Sequence, residues 1–162
     1  MNTMLSTLLT FLCCALPALA AADSEWIADA KGCKVANISP KQGESISWSG
    51  DCHNGLANGE GTLTWFESGI KTEVYEGTMV DGYAEGRGKL HGAGSVYIGE
   101  WKKSRQHGRG RYEDADGSWY SGEWSDGVPH GRGQMLTPEG QLLKGYWNNG
   151  EYEDEGAMPG RT

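Results

Sequence analysis

Aliphatic side chains are scarce in this chain. The 142 residues that follow position 20 contain 17 Leu, Ile, Val and Phe together, and the net charge is −8. A composition of that kind ordinarily belongs to a chain that stays unfolded, and it excludes a ball-shaped aliphatic core. Cysteine is sparse as well: beyond Cys13 and Cys14 in the apolar leader, only Cys33 and Cys52 remain. A metal site built on that pair would need further ligands, and only His53 is close by in sequence. The patterns that carry catalysis are missing: there is no nucleophile elbow, no Ser/His/Asp order at sensible spacing, no His-Glu-x-x-His and no isolated carboxylate pair in an apolar setting. The sequence therefore predicts no enzyme, no metal and no cofactor. A pI near 4.9 argues against a phosphate-backbone partner, so no nucleic acid is expected.

What the chain has in abundance is glycine and large aromatic rings. It carries 26 Gly, and all seven Trp and all seven Tyr lie beyond residue 20. They follow a repeated order. Tyr97, Gly99, Trp101, Gly108 and Gly110 recur 23 residues later as Tyr120, Gly122, Trp124, Gly131 and Gly133. The Tyr position recurs at Tyr75, more loosely at Trp48, and finally at Leu143, giving spacings of 27, 22, 23 and 23, with extra residues around Glu67 to Thr72. A fixed period of this length indicates a repeat architecture.

Over Trp48 to Gly150 this unit resembles the MORN repeat family. Departures occur at Cys52 and Met79, which hold the Trp position, at Ser104, which replaces a loop glycine, and in the shortened last unit. The resemblance implies hairpins laid side by side, with enzymatic activity, where it exists, residing in a separate appended domain. It also implies binding, either to protein or to anionic phospholipid.

Strand alternation gives the same picture from the residues themselves. Tyr97, Gly99 and Trp101 share one face of a strand, while Ile98 and Glu100 share the other. Pairing Trp101 with Gly108, Gly99 with Gly110 and Tyr97 with Tyr112 would place the aromatics and glycines together, with rings packed over glycine floors. The expected fold is all-β: a linear array of about five β-hairpin repeats forming a single elongated, twisted antiparallel sheet, preceded by a short N-terminal cap segment. The expected organisation is a signal peptide over residues 1–20, a cap segment over 21–47, the repeats over 48–150 and an acidic tail over 151–162.

The leader rests on an uncharged run from Met4 to Ala22, a break at Pro17 and an Ala18-Leu19-Ala20 cleavage pattern. It implies export to the periplasm or secretion; an uncleaved membrane anchor is the alternative. In an oxidising compartment Cys33 and Cys52 are expected to form a bridge that clips the leading segment over the open sheet edge. Asn37-Ile38-Ser39 matches a glycosylation acceptor, followed by Pro40.

Two faces are candidates for binding. The aromatic face, with Tyr97, Trp101, Tyr112, Tyr120, Trp124 and Trp147, is expected to form a shallow groove for an unidentified protein partner, because Tyr and Trp dominate interface energetics. The opposite face should carry a basic ridge of Arg87, Lys89, Arg109, Arg111 and Arg132. Between Gly86 and Arg111 seven basic residues stand against Glu100 alone, whereas the segments on either side are each acidic by seven charges. The ridge suits an anionic lipid, membrane surface or envelope polysaccharide. Cross-strand pairing of Glu100 with Arg109 and of Glu123 with Arg132 would account for the same pattern without a ligand. No residue pattern specifies an oligomeric state.

Overall fold

A computed structural model describes residues 25–153, so the leader, Cys13 and Cys14, and residues 154–162 of the expected acidic tail lie outside the described residues. The described chain is all strand and turn. A leading hairpin of β1 (Glu25–Ala28) and β2 (Lys34–Asn37) is followed by β3 (Glu44–Trp48) and β4 (Asp51–His53). Nine further strands make up the ribbon: β5 (Leu56–Glu67), β6 (Ile70–Val80), β7 (Tyr83–Gly92), β8 (Ser95–Lys102), β9 (Arg105–Glu113), β10 (Trp119–Ser125), β11 (Val128–Leu136), β12 (Leu142–Asn148) and β13 (Glu151–Glu153). From β5 to β13 each strand pairs antiparallel with the next, so the array is linear and open. The sheet departs from a purely antiparallel one at a single contact, where β2 meets β5 in parallel through Lys34 and Leu56.

The register explains the glycines. Gly61, Gly77, Gly88, Gly99, Gly110, Gly122, Gly133 and Gly145 are consecutive cross-strand partners, forming one unbroken row across β5 to β12. Every second cross-strand pair lies beneath an aromatic ring. Tyr75 covers Gly77 and Gly88, Tyr97 covers Gly99 and Gly110, and Tyr120 covers Gly122 and Gly133. Each hydroxyl donates to the carbonyl three residues on, at 3.0 Å for Thr78 and Glu100 and 2.9 Å for Glu123. Trp48 does the same with its indole, lying over Gly50 and Gly61 and donating to the Asp51 carbonyl at 2.8 Å. The looser first unit therefore keeps the geometry of the others with a different ring.

One expected pair is corrected. Tyr97 faces Tyr112 and Gly99 faces Gly110 within the hairpin, but a bulge after Gly99 sets Trp101 opposite Gln106, not Gly108. Gly108 instead faces Trp124 of the following unit, as Gly86 faces Trp101 and Gly131 faces Trp147. The bulge arises because the hairpin closes in a two-residue turn at Lys103 and Ser104, both with positive φ (48° and 62°), which leaves two residues, Gly108 and Arg109, extra on β9. The extra residues around Glu67 to Thr72 lengthen the β5–β6 hairpin without disturbing the row, with Lys41 reaching Glu67 at 2.6 Å.

Cys33 and Cys52 are bridged, with Cα atoms 5.7 Å apart across a sequence separation of 19. Loop closure of that length stabilises by about 3 kcal/mol. The leading hairpin does not cover the outer edge of the sheet, as the sequence suggested. It runs along the turn edge: Lys34 donates to the Gly55 carbonyl and Ala36 to the Gly82 carbonyl, while Gly82 donates back to Ala57. That path buries Cys33, Val35, Ala57, Met79 and Ala84 in the small aliphatic part of the core. Asn37 is buried, and its amide donates to Glu44 at 2.7 Å, so the glycosylation match sits on an occupied side chain.

The glycine row yields a direct test. A Cβ at Gly88 would lie 2.5 Å from Cε2 and 2.7 Å from the hydroxyl of Tyr75, a ring held on all sides. Gly88→Ala is expected to destabilise the protein by about 1–3 kcal/mol, read as a lower urea midpoint with an unchanged slope.

Candidate binding surface

The rings on the first candidate face are occupied with one another. Starting at Tyr75, they alternate as Trp101, Tyr97, Trp124, Tyr120 and Trp147, then end on Tyr152, with centroids 5.0–5.3 Å apart. All but the last contact are edge-to-face, with planes at 73–87°, the arrangement the ring quadrupole favours. Tyr97, Trp101, Tyr120, Trp124 and Trp147 are at most 8% exposed, and Tyr112 is half-buried with its hydroxyl on Asp114 at 3.0 Å. The aromatic face is thus a packed ladder, and the expected shallow groove is corrected: rings that bury each other leave no open surface for a protein segment. A small pocket of about 220 Å³ does open on this side, beneath Ile38 to Lys41, against Trp65, Leu90 and the edge of Trp101.

Two of the indoles differ in a way that packing alone does not reveal. Trp124 Nε1 donates to the Gly110 carbonyl at 3.2 Å, whereas Trp101 Nε1 is buried without an acceptor. Burial also raises the tyrosines. The Tyr75 and Tyr120 hydroxyls are pushed up to about 12 by burial, with Glu85 and Glu123 adding to the effect, and Tyr97 is raised further still by burial and Glu100.

The opposite face is a long open trough of about 1040 Å³, and all five residues of the expected ridge line it. Arg87, Arg109 and Arg132 occupy equivalent positions on β7, β9 and β11, each between two glycines of its strand. A second row runs Lys89, Ile98, Arg111, Ser121, Gln134 and Lys144 in cross-strand register. Lys144 was missed in reading the sequence, although the parity of β12 places it beside Gln134. Lys102, Lys103 and Arg105, part of the same basic stretch of sequence, fall at the turn edge and do not line the trough. Against the six basic groups of the lining stand Glu76 and Glu123.

The expected cross-strand ion pairs are also corrected. The same bulge sets Glu100 opposite His107 within its hairpin and opposite Arg87 of the preceding unit, while Glu123 faces Arg109. None of these is a salt bridge. The Glu100 carboxylate turns back to accept the Arg109 backbone N–H at 3.1 Å, over the bulged Gly108. Among the described residues the ion pairs are Lys41 with Glu67 and Arg111 with Glu113 at 3.2 Å. Arg111 also lies over Trp119, 4.4 Å from the ring centroid. Arg87, Arg109 and Arg132 are exposed and are not engaged in any ion pair among the described residues.

Comparison with known families agrees with this geometry. Residues 48–68, 75–94, 97–119 and 120–141 each match the MORN repeat model, which together is more than half of the chain. No curated protein matches it.

Two outcomes follow from the ladder. Trp124→Phe should cost about 1 kcal/mol more than Trp101→Phe in chemical denaturation, because the first takes the indole donor from the Gly110 carbonyl, while the second removes an indole N–H that has no acceptor. Alkali should also weaken the fold. Unfolded tyrosines ionise near pH 10 while the buried ones hold their protons, so the unfolded chain releases protons first and stability falls as pH rises from about 10 to 12. Denaturation midpoints across that range, followed together with tyrosinate absorbance, should show ionisation of the buried rings arriving with unfolding.

Proposed function

The chain belongs to the MORN repeat family, and on that premise we propose that it is an exported, non-catalytic module that serves the cell envelope as a scaffold, holding an acidic partner along its basic trough. Repeats of this family are protein- or membrane-binding modules. The observation that carries the reading is the contrast between the two faces: the aromatic side is consumed by its own packing, and the other presents exposed guanidiniums over about 1040 Å³. The Cys33–Cys52 bridge supports an oxidising compartment. No helix among the described residues is long and apolar enough to cross a membrane.

Binding in this reading is electrostatic at long range. A trough lined by one predominant sign of charge concentrates acidic partners and steers their approach, and it weakens with salt. The lipid alternative draws on the same arginines and predicts sedimentation with anionic vesicles, lost when the arginines are reversed.

Arg109→Glu combined with Arg132→Glu should lower retention on immobilised poly-glutamate at least tenfold at low salt. The thermal unfolding of the double variant should stay within about 0.5 kcal/mol of the parent, as expected for exposed substitutions. Unchanged retention would remove the trough from the reading. Intact-mass measurement on protein from an exporting host, expected to show loss of residues 1–20 and no free thiol, tests the export half separately.

A further inference from the structure

We propose that the trough is built for a linear acidic polysaccharide, a uronate polymer lying along the ribbon and crossing its strands. The inference rests on the trough being the binding surface and names its occupant.

The first argument is spacing. Arg87, Arg109 and Arg132 sit on every second strand, so their Cα atoms recur at about 10 Å along the ribbon. In an extended uronate chain with two-fold character, successive carboxylates alternate sides. Those on one side therefore return once per disaccharide, a distance of the same order. An extended peptide or a nucleic-acid strand brings its charges round at shorter intervals. A planar guanidinium holds a carboxylate through two parallel hydrogen bonds, and these three are free of ion pairs among the described residues.

The second argument is what lies between the arginines. Glu123, Ser121 and Gln134 interrupt the positive rows and also line the trough. The Glu123 carboxylate would repel an unbroken run of anions, whereas together with the neutral Ser121 hydroxyl and Gln134 amide it suits a ligand that presents hydroxyls between its carboxylates, as a sugar acid does. The third is shape. The row at Gly88, Gly99, Gly110, Gly122 and Gly133 directs its Cβ positions to the aromatic face, so on the other face the floor of the trough between the two rows of side chains is backbone, low enough for flat sugar rings to approach, and a trough touches a rod along its length but a planar bilayer only at its rims.

The experiment is calorimetric titration of the full mature chain with polymannuronate fractions of defined length. Neutral dextran, poly-glutamate and phosphatidylglycerol vesicles are titrated in parallel. The expected result is binding that strengthens from the disaccharide to a length spanning three arginines and then levels off. It should weaken roughly tenfold for each of Arg87→Gln and Arg132→Gln. A charge-conserving exchange, Arg109→Gln with Gln134→Arg, breaks the row and leaves net charge alone; it should weaken uronate binding as much as losing an arginine does. If the exchange leaves binding unchanged, net charge suffices and the inference falls. If poly-glutamate or vesicles bind as tightly as the uronate through the same arginines, the polysaccharide inference falls while the trough stands. If none of the probes binds, both fall. Near-ultraviolet circular dichroism reports the aromatic ladder in every variant, so that loss of binding is read only from folded protein.

Discussion

A tyrosine ring held over two glycines that face each other across neighbouring strands is the contact on which the rest of this protein depends. Each of Tyr75, Tyr97 and Tyr120 lies flat on such a pair and reaches a carbonyl three residues ahead. The arrangement resolves a difficulty in the composition. With so few aliphatic groups the chain cannot enclose a conventional core, but a Tyr or Trp can hide roughly 150–250 Å² on its own. Glycine would normally weaken a strand; here it makes the depression that the ring fills.

From that contact the remaining architecture follows in order. Rings anchored on alternate strands stand at the right distance to meet the indoles of the next unit edge-on, which joins the units into a ladder from Tyr75 to Tyr152. Because the ladder occupies one face, the ribbon has a dry side and a wet side, and residues between the glycines are forced to the wet one. Arg87, Arg109 and Arg132 are there for that reason. The ends need different treatment, since a terminal repeat lacks a neighbour. At the leading end the disulfide and the β1–β2 hairpin supply the missing contacts, with Trp26 resting on Tyr83 at 5.4 Å. At the trailing end Tyr152 covers Gly145 and donates to Lys144 at 3.1 Å, closing the ladder.

The bulge after each Gly of the Tyr-x-Gly segment carries the functional consequence. It displaces Glu100 from Arg109 within the hairpin and sends its carboxylate to a backbone N–H. Across neighbouring hairpins Glu100 faces Arg87 and Glu123 faces Arg109, and neither pair closes into a salt bridge. The irregularity that resets which charges face each other is a property of turn geometry, not of charge.

Much of this was legible from residues alone. The period, the shared face of Tyr97, Gly99, Gly110 and Tyr112, and the placement of Arg87, Lys89, Arg109, Arg111 and Arg132 on the other face all follow from strand alternation, which is a local property of the backbone. The pairing of Cys33 with Cys52 was legible because only two candidates remained beyond the leader. What alternation cannot supply is register and mutual burial. That Trp101 faces Gly86 of the preceding unit, that Glu123 faces Arg109, and that five of the six candidate binding rings are sealed by their neighbours depend on a two-residue bulge and on contacts between repeats. The sequence by itself determined which side chains share a face, because that needs only the two-residue period of a strand. The tertiary structure alone decided which face stays open, because an aromatic ring is exposed or buried according to what the next repeat places against it.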